Sequence, residues 1–259
     1  MKIDAVEMEV VDVRYHSSIL FTLELKMTGA KSGTPIAYKP GQFVQLQVPS
    51  VDGILLRRPF SIYYTREDVL GLLIQIAGKG TRALAEAATP GARFSVVLPL
   101  GNHFSTPAGQ KALLIGGGVG IAPLFSLGQS LKEQGVEVSF LLGARDAGAF
   151  PDLTPFGEVG ELYITTEDAS LGEKGFVTDH TIMNTEHLDF SQIYTCGPTP
   201  MMRAVAQYAI ERGIPCEASL ENHMACGFGV CLCCVEPTIE GHQRVCVDGP
   251  VFDVKELTW

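Results

Sequence analysis

The chain has 259 residues, 46% of them apolar, with 19 basic against 29 acidic side chains and a net charge of −10. That length suits two compact domains with a small appendage and buries ample core without disulfides. The acidic balance and the lack of any basic run disfavour nucleic-acid and anionic-membrane partners, and no run of about 18 apolar residues is present to span a bilayer. The first residues, MKIDAVEMEV, place Asp4, Glu7 and Glu9 among the apolar ones, unlike a signal peptide. The expected location is therefore a reducing cytosol, where clustered cysteines bind metal more often than they pair.

The first hundred residues read as strands. FTLELKM alternates Phe21, Leu23, Leu25 and Met27 against Thr22, Glu24 and Lys26, and VQLQV alternates Val44, Leu46 and Val48 against Gln45 and Gln47. LGLLIQI and RFSVVLP follow, with Gly/Pro turns between, which predicts an antiparallel barrel or sandwich over 1–104. One helix, TRALAEAA, interrupts it with Thr81 as the expected N-cap.

From Lys111 the texture changes. KALLIGGG and VEVSFLLGA are short buried strands, ELYITTED and QIYTCGP are two more, and two helical stretches stop at Gly135 and Gly213. Strands alternating with helices predict a doubly wound parallel sheet over 105–215, joined to the barrel by PLGNHFSTPAGQK. After Pro215 the periodicity fails, and 216–259 is expected to be a small cysteine-rich domain.

Three loops carry the residues of a nucleotide site. In GGGVGIAP, Gly116, Gly117, Gly118 and Gly120 sit where a strand hands over to a helix, so backbone amides and a helix N-terminus face a pyrophosphate. Pro123 stands where the dinucleotide fingerprint has its third glycine, so the strand-before, helix-after context carries this reading. At the end of the next strand, Asp146 suits a ribose 2′-hydroxyl and favours NADH, whereas the adjacent Arg145 argues for NADPH. In the barrel, Gly78, Lys79, Gly80 and Thr81 open the helix as an anion site. RRPFSIY supplies Arg58 for a phosphate, Phe60 for a planar ring, and Pro59 and Ser61 beside them.

Five of the seven cysteines lie between 226 and 246: Cys226-x4-Cys231-x2-Cys234-x11-Cys246, with Cys233 as a spare. The C-x4-C-x2-C…C order is the plant-type [2Fe–2S] spacing, with a shortened last gap. A zinc site drawing on His223 or His242 stays open at this point, as does a disulfide. Ala225, Gly227 and Gly229 are small, as a loop must be if its amides are to reach cluster sulfurs.

Taken together, these segments resemble the ferredoxin–NADP reductase superfamily. RPFS looks like its flavin signature and GKGT like its flavin-phosphate loop. GGGVGIAP and CGP (Cys196, Gly197, Pro198) look like its two nicotinamide-nucleotide loops, all four in family order. The cysteine tail, SLENHMACG before it and PLGNHF at the domain join resemble the electron-transfer subunits of B-type dihydroorotate dehydrogenases. The resemblance implies an FAD-binding Greek-key barrel, an NAD-binding α/β domain, and a tail whose Cys226, Cys231, Cys234 and Cys246 hold a [2Fe–2S] cluster. With flavin signatures upstream, the cluster outweighs zinc. It further implies electron transfer between NAD(H), FAD, the cluster and an FMN-containing dihydroorotate dehydrogenase catalytic subunit in pyrimidine biosynthesis, in a heterotetramer of two and two. No protein acid or base is required within this chain. The alternatives are an NAD(P)H-linked reductase subunit of sulfide dehydrogenase or ferredoxin–NADP transhydrogenase type, and a cofactor-free or zinc-binding module on the same fold.

Overall fold

The computed structural model describes residues 3–48, 53, 55–185 and 189–259. Its first part contains β1 (Asp4–Tyr15), β2 (Leu20–Met27), β3 (Phe43–Leu46), β4 (Arg58–Ser61), β5 (Tyr64–Arg66), β6 (Val69–Gln75), α1 (Lys79–Ala87) and β7 (Arg93–Leu100). These strands form one antiparallel sheet in the order β4-β3-β7-β1-β2-β6-β5. The β2–β3 and β6–β7 connections each jump over intervening strands, the Greek-key pattern, and the sheet curls so that β4 meets β6. Val44, Leu46, Phe21, Leu23, Leu25 and Leu72 fill its interior, as their alternation predicts.

The alternation fails on the opposite face of β2. Thr22 and Glu24 are buried, and Glu24 accepts hydrogen bonds from Tyr64 Oη and Arg66 Nη2. This outer face is not turned to solvent, because the second domain packs nearby. Leu20, Tyr63 and Leu73 of the barrel share a core with Leu124, Phe125 and Phe156, and the Tyr63 and Phe125 rings lie 5.0 Å apart.

The second part contains β8 (Lys111–Gly117), α2 (Ile121–Glu133), β9 (Glu137–Ala144), α3 (Thr154–Val159), β10 (Glu161–Thr166), β11 (Glu173–Lys174), β12 (Gln192–Cys196), α4 (Thr199–Arg212) and β13 (Cys216–Ser219). Gly135 (φ +82°) and Gly213 (φ +66°) end the two long helices in left-handed conformations, as expected. The tail adds the hairpin β14 (Val235–Thr238) and β15 (Gly241–Arg244), then β16 (Val251–Asp253). The sheet order is β11-β10-β9-β8-β12-β13-β16, parallel except for β16. Strand order reverses between β8 and β12, the switch point at which such sheets bind ligands.

The sheet runs across the expected boundary at 216. Cys216–Ser219 pairs with β12, and Val251–Asp253 returns to pair with Glu217–Ser219. The cysteine-rich segment is thus a loop-out between two strands of the nucleotide sheet. A single side chain from the domain join holds its return. Asn102 Nδ2 donates to Asp248 O (2.9 Å) and Val251 O (2.7 Å), and Asn102 Oδ1 accepts from Val251 N (2.9 Å). The Asn102 backbone N–H donates to Gly249 O at 2.6 Å. Replacing Asn102 with Ala leaves three backbone groups without these partners and is expected to destabilise the protein by about 2–3 kcal/mol. Urea unfolding would measure that loss, and limited proteolysis should show earlier cleavage between 221 and 250.

Candidate functional site

The flavin side is built by β4 and the start of α1. Of the two adjacent arginines, Arg57 is spent on structure: its guanidinium donates to Ser95 O (2.7 Å) and Ser95 Oγ (2.9 Å), tying β4 to β7. Arg58 turns Nη1 to Leu56 O (2.9 Å) and lays the rest of its fork over Gly80, where a Cβ would fall 3.0 Å from Nε. Arg58 and the first turn of α1 therefore face one another, a cationic fork opposite helix N-terminal amides, residues that could hold a phosphate. Thr81 is not the N-cap. The helix begins at Lys79 with Gly78 capping it, and Thr81 Oγ reaches back to accept from Ala77 N (3.0 Å) and Gly78 N (3.1 Å). Glycine at the cap has no side chain to occupy the first-turn amides, so they stay open to an anion. Lys79 is exposed beside them, and Pro59, Phe60 and Ser61 are half-buried along β4.

The nucleotide side sits at the switch point. Gly116 and Gly117 end β8, Cys196 ends β12, and the two loops that follow interlock backbone to backbone. A Cβ at Gly120 would lie 2.5 Å from Cys196 O, and one at Gly197 (φ +150°) would lie 2.9 Å from Gly117 N. Gly118 takes φ +56°, and Pro198 packs against Gly117. Residues 80 positions apart in sequence thus make one glycine-lined floor. Asp146 and Arg145 are both exposed at the end of β9, beside this floor in the sheet order.

Cys196 is fully buried, and burial followed by the charge of Glu221 pushes its thiol well above the usual range. It is a small neutral residue, not a nucleophile. Its Sγ lies 4.0 Å from Glu221 Oε1. Glu221 is solvent-exposed, and desolvation by the surrounding protein pushes its carboxyl up. The sequence reading missed Glu221; the available signal was an acidic residue just past the carboxyl end of a parallel strand, where such sheets meet ligands. A shallow cavity lined by Lys111, Glu137 and Glu161 lies at the opposite, amino-terminal strand ends and contains none of the expected site residues.

In the tail the four expected ligands form two pairs. Cys226 and Cys231 neighbour one another towards the surface, and Cys234 and Cys246 do so in the core. Among the described residues no three His, Cys, Asp or Glu side chains are placed to hold one metal ion. Two cysteines for each of two irons is the donor set of a [2Fe–2S] centre, whereas a structural zinc draws four ligands onto one point. Burial raises the Cys226 thiol, but hydrogen bonds from Cys231, Phe228 and Val230 outweigh it and bring it down to about 6. The small loop does aim amides at sulfur, as its composition predicts, and a thiolate is the form that binds iron. Cys234 and Cys246 are each 2% exposed and belong to the core with Phe43 and Phe252. Cys233, the spare, faces solvent after Leu232 (φ +59°). Phe228 is 56% exposed. Cys216 is buried.

The family described as the iron-sulfur cluster binding domain of dihydroorotate dehydrogenase B matches residues 221–258, and the oxidoreductase NAD-binding domain family matches 114–207. The dihydroorotate dehydrogenase B (NAD(+)) electron transfer subunit of Shouchella clausii is 39% identical over 230 residues, covering 85% of this chain and 86% of that protein. The subunit of the same name from Bacillus caldolyticus is 40% identical over 227 residues, with the same coverage. The chain belongs to the dihydroorotate dehydrogenase B electron transfer subunits. Among solved structures, an NADH-dependent reduced ferredoxin–NADP oxidoreductase superposes with a TM-score of 0.86 at 30% identity, covering 97% of this chain and 90% of that one. A ferredoxin reductase of carbazole 1,9a-dioxygenase shares the fold, with a TM-score of 0.70 at 23% identity, covering 83% of this chain and 68% of that one.

For a member of this family the interlocked floor makes a sharp test. Gly120→Ala forces a methyl against the Cys196 carbonyl and separates the two loops. Bound flavin should be retained, while reduction of that flavin by NADH, followed at 450 nm by stopped flow, should fall about 100-fold.

Proposed function

We propose that this chain carries electrons between NAD(H) and an FMN-containing dihydroorotate dehydrogenase catalytic subunit in pyrimidine biosynthesis, as half of a heterotetramer of two and two. FAD and a [2Fe–2S] cluster, when bound, supply the step from paired to single electrons. The observation that carries this reading is the pairing of four thiols in a tail looped out from the nucleotide sheet, behind a phosphate cradle and a glycine floor.

The residues have separate tasks. Arg58 and the α1 entry, Gly78 to Thr81, hold the flavin phosphates, and Pro59, Phe60 and Ser61 border its ring. Gly116, Gly117, Gly118, Gly120, Gly197 and Pro198 let the nicotinamide nucleotide approach the backbone, and Asp146 accepts from its ribose hydroxyl. Cys196 closes the floor as a buried thiol, and Glu221 Oε1 lies beside it. Cys226, Cys231, Cys234 and Cys246 ligate the cluster.

The partner surface is the apolar collar around the exposed Cys231. Phe228, Val230 (75% exposed), Leu232 (61%) and Val247 crowd the cluster loop, and such a contiguous apolar patch is suited to burial by another subunit. All seven cysteines are free thiols, which fits a reducing cytoplasm. No helix among the described residues is long and apolar enough to cross a membrane.

Two measurements test the assignment. Cys234→Ser should abolish the cluster's visible absorption, whereas Cys233→Ser should keep it; the reverse would reassign the ligands. Purification from the native cell should bring down an FMN-containing, dihydroorotate-oxidising subunit, and recovery of a different redox partner would move the chain to the reductase alternatives.

A further inference from the structure

Gln45 departs most from what its sequence position predicts. Val44 and Leu46 on either side fill the barrel, so Gln45 points to the outside of the sheet, yet it is 1% exposed. Neither its Oε1 nor its Nε2 has a hydrogen-bond partner. A buried amide with both polar atoms unpaired is costly and rare, and calls for a group that completes it.

Its neighbours identify that group. Gly227, the residue after Cys226, comes so near that a Cβ there would fall 2.9 Å from Gln45 Cγ and 3.1 Å from Nε2. Phe43, on the same face of β3, packs in the core that contains Cys234 and Cys246. Pro59 of the flavin strand stands directly opposite Gln45 in the β3–β4 register. The amide therefore lies in the seam between the strand that borders the flavin and the loop that holds the cluster.

We propose that Gln45 Nε2 donates a hydrogen bond to the sulfur cage of the cluster on its Cys226 side, and thereby sets the cluster's reduction potential. This rests on the reading that the four cysteines hold a [2Fe–2S] centre. Cluster sulfurs only accept hydrogen bonds, and Nε2 is the amide atom nearest Gly227, so the donor is on the correct side. A donor at sulfur stabilises the charge added on reduction and raises the potential. Gly227 serves the same contact by lacking the methyl that would push the amide away.

The test uses the full holoprotein with flavin and cluster. The chain is produced with glutamine labelled with ¹⁵N at the side-chain amide, and the reduced cluster is examined by pulsed electron paramagnetic resonance. A ¹⁵N coupling from glutamine should appear, and it should vanish in Gln45→Leu. In that variant the cluster potential should fall, read against the flavin potential of the same sample. Labelled wild-type protein whose reduced cluster shows no glutamine coupling overturns the proposal, and this readout needs no variant to fold. So does a Gln45→Leu cluster that keeps its potential. A reconstituted preparation with no iron and no cluster absorption overturns the cluster reading itself, a distinct result.

Discussion

Asn102 spans the barrel–sheet join and the end of the cysteine segment with both ends of one amide, and the electron path depends on that contact. The segment from Glu221 to Pro250 has a two-stranded hairpin as its only sheet of its own. Its position is fixed by β13 and β16 at the sheet edge, by Cys234 and Cys246 inserted into the core beneath, and by the Asn102 bonds at its return. Gly101 is part of the same constraint. It takes φ +77°, and a Cβ there would fall 2.5 Å from Pro250 Cδ and 2.9 Å from Phe43. The join is therefore not a flexible tether. It packs barrel, sheet and tail against one another.

Close backbone approach solves the problem of bringing distant motifs together. The GGGVG and CGP loops are separated by most of the second domain in sequence, but they end neighbouring strands at the point where strand order reverses. Side chains between them would hold the floor apart, and the missing Cβ atoms at Gly120 and Gly197 are what allow contact. The same device recurs at Gly80 beneath Arg58 and at Gly227 beneath Gln45. In both places glycine makes room for a polar side chain.

Much of this was legible in the sequence because periodicity and punctuation are local. The strands of both sheets, the helix stops at Gly135 and Gly213, the phosphate loops and the four cysteines all show in short windows. What was not legible depends on tertiary burial. Thr22, Glu24 and Gln45 read as the wet face of half-buried strands, and the second domain and the tail cover them. Thr81 read as a cap because a hydroxyl is the commoner choice, whereas a bare Gly78 keeps the first-turn amides free. Cys216–Ser219 read as the start of a tail because its sheet partner, Val251–Asp253, lies more than thirty residues on. Glu221 lies within SLENHMACG, but its place beside the Cys196 thiol depends on tertiary structure.

The two thiol pairs sit in different surroundings. Cys234 and Cys246 are sunk among Phe43, Leu100 and Phe252, where added negative charge is poorly solvated. Cys226 and Cys231 lie at the surface, and the amides of Phe228, Val230 and Cys231 converge on Cys226 strongly enough to lower its thiol despite burial. The Cys226–Cys231 end is the more solvent-accessible of the two. That end carries the exposed apolar side chains of the loop, and Gln45 reaches it from β3 through Gly227. Barrel and exposed loop thus meet at one pair of cysteines, while the other pair is sunk in the core of the fold.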